Sequence, residues 1–214
     1  PYLNNKSFET SKLIDVCHKI TDGVHHKPVY YESGVPFISV KDINTSYLSF
    51  DDTKFINDEQ HVKFSKRCLV EQYDILYTKV GATYGIPAIV DTNKEFSLYV
   101  SVALLKTKHE KINYVFLYHM MKSKGIKFQA DKSIKGIGVP DLHLNMIREF
   151  QIIRPPRNLQ DKFAEIVTQI EQTKTIYQDS LNELNNLFGS IAQKAFKGEL
   201  DVSKIELIQK ATQI

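Results

Sequence analysis

Two regimes of apolar spacing divide the chain at Pro155-Pro156. Before the prolines, apolar residues come in short runs separated by glycine, proline and polar clusters, the pattern of short strands and helices joined by loops. Residues 8–20, with Phe8, Leu13, Ile14, Val16 and Ile20, read as a short helix or strand leading into an irregular loop around Gly23 and Pro28. Gly34-Val35-Pro36 reads as a turn and Phe37-Ile38-Ser39-Val40 as a buried strand. A turn at Gln72-Tyr73-Asp74 precedes a strand at 75–77; Gly81 and Gly85 bracket a loop; strands follow at 87–90 and 99–105. Asn113 is a natural cap for a helix over 113–124 with Phe116, Leu117, Met120 and Met121 inward. Gly125, Gly136 and Gly138 then mark an open, lysine-bearing stretch before a last strand at 150–153. No βαβ repeat of regular length appears, so the fold class is α+β, with a globular domain over 1–155.

After Pro156 the period changes. Asn158 is placed to cap a helix, with Asp161 in its first turn where the dipole favours negative charge. From there to Lys197 there is no proline, and Gly189 is the sole glycine. Forty helical residues span about 60 Å. Phe163, Ile166, Ile170, Thr173, Tyr177, Ser180, Leu184, Leu187 and Ile191 repeat every 3.5 residues, a heptad seam interrupted by two polar positions. The spacing predicts a coiled-coil helix over 156–200, followed by a tail over 201–214.

Composition alters this picture little. A 42% hydrophobic share with 12 Phe and 11 Tyr is enough for an ordinary core, and 25% charged residues argue against wholesale disorder. Cys17 and Cys68 fit no metal-ligand or disulfide spacing and suit a reducing cytoplasm. No apolar run is long enough to span a bilayer, and no signal peptide is visible. The first residue is Pro1 rather than Met, which points to a fragment or a processed chain. Net charge is only +3, but residues 106–135 hold eight lysines against Glu110 and Asp131. Such a run beside aromatics is either a solvated face or a phosphate-binding surface.

Catalytic equipment is hard to find. No glycine-rich cofactor turn, no Asn/Asp-Pro-Pro-aromatic loop for a flipped base and no Walker-type loop is present. Asp42 with Asp52-Thr53-Lys54 matches a metal-nuclease pattern only loosely, and Asp141 and His143 stand alone. His25-His26 lacks further ligands at metal spacing; beside Lys27 the pair suits contacts to phosphate or a base edge. No metal or cofactor is implied. The classes left are a DNA-reading module, a protein-only coiled-coil adaptor and, least supported, a metal-dependent nuclease domain.

Five segments carry a resemblance. Asp22-Gly23-Val24-His25-His26-Lys27-Pro28 looks like an Asp-Gly-x-His-x-x-Pro element, and Gly34 through Ile43 like Gly-x-Pro-(Phe/Tyr)-(Ile/Leu)-x-x-x-(Asp/Asn)-Ile. Tyr73 through Gly85 is similar to a Gly-Asp-Ile-Leu…Gly-x-x-Gly loop, with Tyr73 in place of the usual glycine. Pro155-Pro156-x-x-x-Gln160 resembles a junction into a long helix, with Asn158 and Leu159 where acids commonly precede the glutamine; Leu187 through Ala195-Phe196-Lys197-Gly198-Glu199-Leu200 resembles a closing signature. In this order and spacing they resemble one half of the specificity subunit of type I restriction–modification enzymes, over almost the whole chain.

That resemblance implies a non-catalytic chain. It would read one block of a bipartite double-stranded DNA site and scaffold methyltransferase and endonuclease/translocase subunits. Its helix would pair antiparallel with that of a second copy or of a second recognition domain of the native chain. The expected reading elements are His25, His26 and Lys27; Lys41; Lys79 with Thr83 and Tyr84; and a loop of Lys132, Ser133 and Lys135. Tyr84 is equally readable as core, and Lys132 and Lys135 as solvated charges. The expected helix-pairing residues are Phe163, Ile166, Ile170, Tyr177, Leu184, Leu187 and Ile191.

Overall fold

The computed structural model describes residues 8–43, 46–134 and 138–200. The chain divides into two compact units between Ala164 and Glu165. The first mixes strands and helices in the manner the sequence predicts. In chain order it holds β1 (Glu9–Lys12), a 3-10 turn (Leu13–Val16), β2 (Cys17–Asp22), β3 (Val35–Ile38), a 3-10 turn (Val40–Ile43) and β4 (Lys54–Ile56). Then come α1 (Asp58–Ser65), β5 (Ile75–Thr78), β6 (Pro87–Ile89), β7 (Ser97–Leu98) and β8 (Val102–Thr107). Helices α2 (Tyr114–Met121), α3 (Lys124–Ser133) and α4 (Leu144–Arg148), strand β9 (Gln151–Arg154) and helix α5 (Arg157–Phe196) complete the order.

The centre is an antiparallel sheet ordered β2-β8-β5-β6. Its inner strands β5 and β8 are covered on both faces and are therefore mostly apolar, whereas the edge strand β2 exposes His18 and Lys19. Ile75, Tyr77, Ala103 and Leu105 face one way, into a cluster with Leu117, Met121, Ile126, Ile147 and Phe150 from the helical side. Leu76, Val102 and Leu104 alternate with them and pack against Ile38, Ile43, Phe96 and Leu98. The register Ile75↔Leu105 and Tyr77↔Ala103 fixes which set faces which core, because a one-residue slip would exchange them. A second sheet, β4-β3-β7, carries a smaller core of Val24, Phe37, Ile56 and Phe64. Strand β1 pairs antiparallel with β9.

Several local expectations are corrected. The strand expected at 37–40 lies two residues earlier, because the Asp42 carboxylate accepts from Ser39 N (2.7 Å) and Ser39 Oγ (3.0 Å) and curls 40–43 into a 3-10 turn. The strand expected at 99–105 starts at Val102, whose N–H turns back to Tyr99 O. Asn113 caps α2 as expected, accepting from Val115 N and Phe116 N. Ser123 then caps a new helix by accepting from Ile126 N (3.3 Å), so Lys132 and Ser133 sit on α3 rather than on a loop. Helix α5 begins at Arg157, which places Asn158 inside it instead of at its cap, and no acid lies in its first turn. The first compact unit runs as far as Ala164 and so takes in the start of α5.

The second unit, described as far as Leu200, is the continuation of α5. No helix among the described residues is long and apolar enough to cross a membrane. The tail expected over 201–214 lies outside the described residues.

Candidate functional site

Within the first unit, residues far apart in sequence line a cleft of about 500 Å3: Asp22 and His25 after β2, Arg67 after α1, Lys79 after β5, and Asp141, His143 and Asn145 around the start of α4. Its anchor is the Asp22 carboxylate, buried with a side chain only 3% exposed. A lone carboxylate there would be costly, and three groups answer it. Arg67 Nη2 donates to Asp22 Oδ1 at 2.6 Å, His25 Nε2 lies 3.1 Å from the same oxygen, and Lys79 Nζ lies 3.7 Å from Oδ2. Lys79 also reaches Asp141 Oδ1 at 3.3 Å, and His143 Nδ1 lies 3.9 Å from Asp141 Oδ2.

Backbone packing sets this arrangement. A Cβ on Gly23 would lie 1.9 Å from Leu98 O, so only glycine lets the chain pass β7 there. Val24 pairs with Tyr99 immediately afterwards, holding Asp22 inward and His25 outward.

The expected reading residues are scattered in role. His25, His26 and Lys27 are exposed, with His26 edge-on to Phe64 at 5.5 Å. Lys79 is only 4% exposed, and its ammonium is engaged by Asp22 and Asp141 at the cleft wall. Lys41 hooks onto Asp52 through the backbone carbonyl and the carboxylate. Thr83 is exposed, whereas the Tyr84 hydroxyl donates to Asp131 Oδ1 (2.5 Å) under the Lys127 ammonium, 3.8 Å from its ring centre. Hydrogen bonds from Lys127 and then Tyr84 hold the Asp131 carboxyl below its ordinary range. Lys132 is exposed over the Phe128 ring, and the Ser133 hydroxyl donates to Gln129 O. Lys135 lies outside the described residues. Arg67, His143 and Asn145 were not singled out as ligands by the sequence, since nothing in their spacing foretells a shared cleft.

The lysine-rich run is not one bare patch. Lys106 pairs with Glu71 and Asp74, Lys108 and Lys111 both donate to Asp15 O, and Lys127 pairs with Asp131. The loose nuclease pattern also resolves into structure, because Asp42 is buried in its own turn and accepts from Thr53 as well. Among the described residues no three His, Cys, Asp or Glu side chains gather as metal ligands. Burial pushes the Cys17 and Cys68 thiols up to about 12, so neither is a nucleophile at neutral pH.

Of the helix-pairing candidates, Phe163 packs edge-on against Phe116 (5.6 Å) and His119 (5.5 Å) and is 37% exposed. Ile166, Ile170, Tyr177, Leu184, Leu187 and Ile191 are all exposed, as are Ile176, Leu181 and Phe188 beside them.

Comparison with known proteins follows the same outline. The chain is similar over 177 residues, at 29% identity, to the EcoBI type I restriction enzyme specificity subunit of Escherichia coli, a span covering 79% of this chain and 36% of that one. Its likeness to the MjaIX type I specificity subunit of Methanocaldococcus jannaschii is 23% over 203 residues, or 94% of this chain and 46% of the other. The chain thus spans less than half the length of these curated relatives. In fold it resembles the HsdS subunit of Thermoanaerobacter tengcongensis (TM-score 0.59, 15% identity, 98% of this chain and 53% of that one). It also resembles the type I restriction–modification S subunit of M. genitalium (TM-score 0.61, 13% identity, 92% and 48%). The model of the type I restriction modification DNA specificity domain matches residues 5–186, taking in the mixed unit and most of α5, and on that match the chain belongs to this family.

Proposed function

We propose that this chain reads one short block of a bipartite double-stranded DNA site with the exposed loops of its first unit and pairs through α5. On this reading it is a non-catalytic scaffold on which methyltransferase and endonuclease/translocase subunits assemble. The observation that carries the proposal is the family match across both a mixed domain and a helix whose apolar stripe is exposed. The exposed His25, His26, Lys27, Thr83 and Lys132 supply contacts to DNA, while Lys79 and Tyr84 brace the loops.

Pairing of two identical chains about a two-fold axis presents the same reading surface twice, so the preferred DNA is an interrupted inverted repeat. Selection of bound duplexes from a random pool at low salt tests this. The expected product is two inverted blocks at fixed spacing, bound with a log–log salt slope of about −4 to −5 for each domain. A chain that dimerises yet retains no DNA at low salt is instead a protein-only adaptor, and the DNA reading fails.

A further inference from the structure

We infer that Arg67 is a specificity-determining residue whose guanidinium reads a guanine in the major groove, with Asp22 as its buried brace. The inference deepens the DNA-reading proposal and rests on it. Arg67 is an exposed side chain (54%) at the rim of the cleft, yet one end of it is fixed. Nη2 lies 2.6 Å from the buried Asp22 Oδ1 and 3.2 Å from His25 Nε2, whereas among the described residues Nε and Nη1 meet no acceptor. The backbone is fixed too: Arg67 N donates to Phe64 O at the end of α1, and Lys19 Nζ donates to Arg67 O at 2.6 Å. An arginine fork so held has lost much of its rotamer freedom before any ligand arrives, and that is the usual entropic cost of using a long side chain to read.

Charge decides what such a fork suits. The cleft holds Asp22 and Asp141 against Arg67 and Lys79, so its formal charge is zero with both histidines neutral. A guanidinium already compensated by a carboxylate at 2.6 Å adds little to long-range attraction for phosphate. In the tautomer that donates His25 Nε2–H to Asp22 Oδ1, the second Nη2–H stays free and forms, with the Nε–H or Nη1–H beside it, a two-donor edge that suits an uncharged partner with two neighbouring acceptors. In the major groove guanine alone offers that pair, N7 and O6. His143 and Asn145, exposed on the same cleft, are placed to flank the base.

The test compares the full-length chain with Arg67→Ala and Arg67→Lys in the same duplex selection, followed by binding to the consensus and to its single-base variants. Wild type is expected to demand guanine at one position in each block. Arg67→Ala should lower that one preference by ~10- to 100-fold, with the other positions and the salt slope unchanged. Arg67→Lys should recover only part of it, because a single ammonium cannot reproduce the fork. Two results would overturn the inference while leaving DNA reading intact: an unaltered consensus in Arg67→Ala, or a uniform loss across sequences with the slope shallower by about one unit, the mark of a phosphate contact. A wild-type selection with no consensus at all removes the DNA-reading proposal itself.

Discussion

At the scale of single residues, the first recognisable segment is mostly architecture. Gly23 exists because β7 leaves no room for a Cβ, and Asp22 because its carboxylate ties Arg67, His25 and Lys79 together. Gly23→Ala must push the Leu98 carbonyl away and break the Val24–Leu98 and Val100–Val24 hydrogen bonds. We expect a loss of about 3 kcal/mol or more, read as a lower urea midpoint at unchanged slope. A variant as stable as wild type would mean that the crossing is looser than described. Such segments are legible as markers of a family but not as a division of labour. His25 was visible as an exposed donor; the burial of Lys79 was not, because its two acid partners stand 57 residues before it and 62 residues after it in sequence. Tyr73 shows the same limit: it occupies a φ of 71°, where glycine is usual, and packs with its ring tilted against Tyr114 at 4.8 Å, a contact no local pattern announces.

At the scale of elements, strands with matched apolar runs were readable and short amphipathic pieces were not. β5 was legible because Ile75, Leu76 and Tyr77 are all buried. α1 was missed because Phe64 is its one buried residue and Val62 is exposed, so no periodic face exists to be seen. The start of α5 depends on tertiary bonds. Gln160, 1% exposed, accepts from Asn113 N (2.9 Å) and donates to Pro155 O (2.8 Å), and Asp161 accepts from Asn113 Nδ2 (2.9 Å). Gln160 is therefore a buried bracket in the first turn of α5, and replacing it by leucine of similar bulk orphans one buried and one part-buried backbone group. At about 1–3 kcal/mol for each, the first unit should lose roughly 3 kcal/mol. Equilibrium unfolding followed by tyrosine fluorescence checks this, and a loss under about 0.5 kcal/mol, the range of an ordinary surface change, would show that the bracket is idle.

At the scale of the molecule, the decisive feature is apolar surface on the second unit. Ile166, Ile170, Tyr177, Leu184, Leu187 and Ile191 are exposed on the described helix, and they are not the whole of its apolar surface. Leu181 and Phe188 follow Tyr177 and Leu184 by four residues, and Ile176 precedes Tyr177, which widens the stripe toward the three-per-heptad face of a bundle. Breadth of this kind suits a helix that is covered by more than one partner, in line with the proposed assembly of further subunits on it. For a single chain in water the first available cover is a second copy. Six seam side chains from Ile166 onward are worth on the order of 10 kcal/mol before entropy costs, enough to drive association at tens of micromolar. An antiparallel pair centred near Ile176 and Tyr177 would bring Thr173 of one copy toward Ser180 of the other. Both hydroxyls already donate to carbonyls four residues back, at 2.8 and 3.0 Å, so neither enters the seam unsatisfied. Leu184→Asp places an unpaired charge in that seam and should convert a dimer to a monomer. The first unit should stay folded, since its three core clusters draw on no residue later than Ile152. Sedimentation of both proteins decides the point, with the urea midpoint of the first unit as the control. Wild-type chain that sediments as a monomer at tens of micromolar would mean that α5 waits for a different partner, and self-pairing would then be withdrawn.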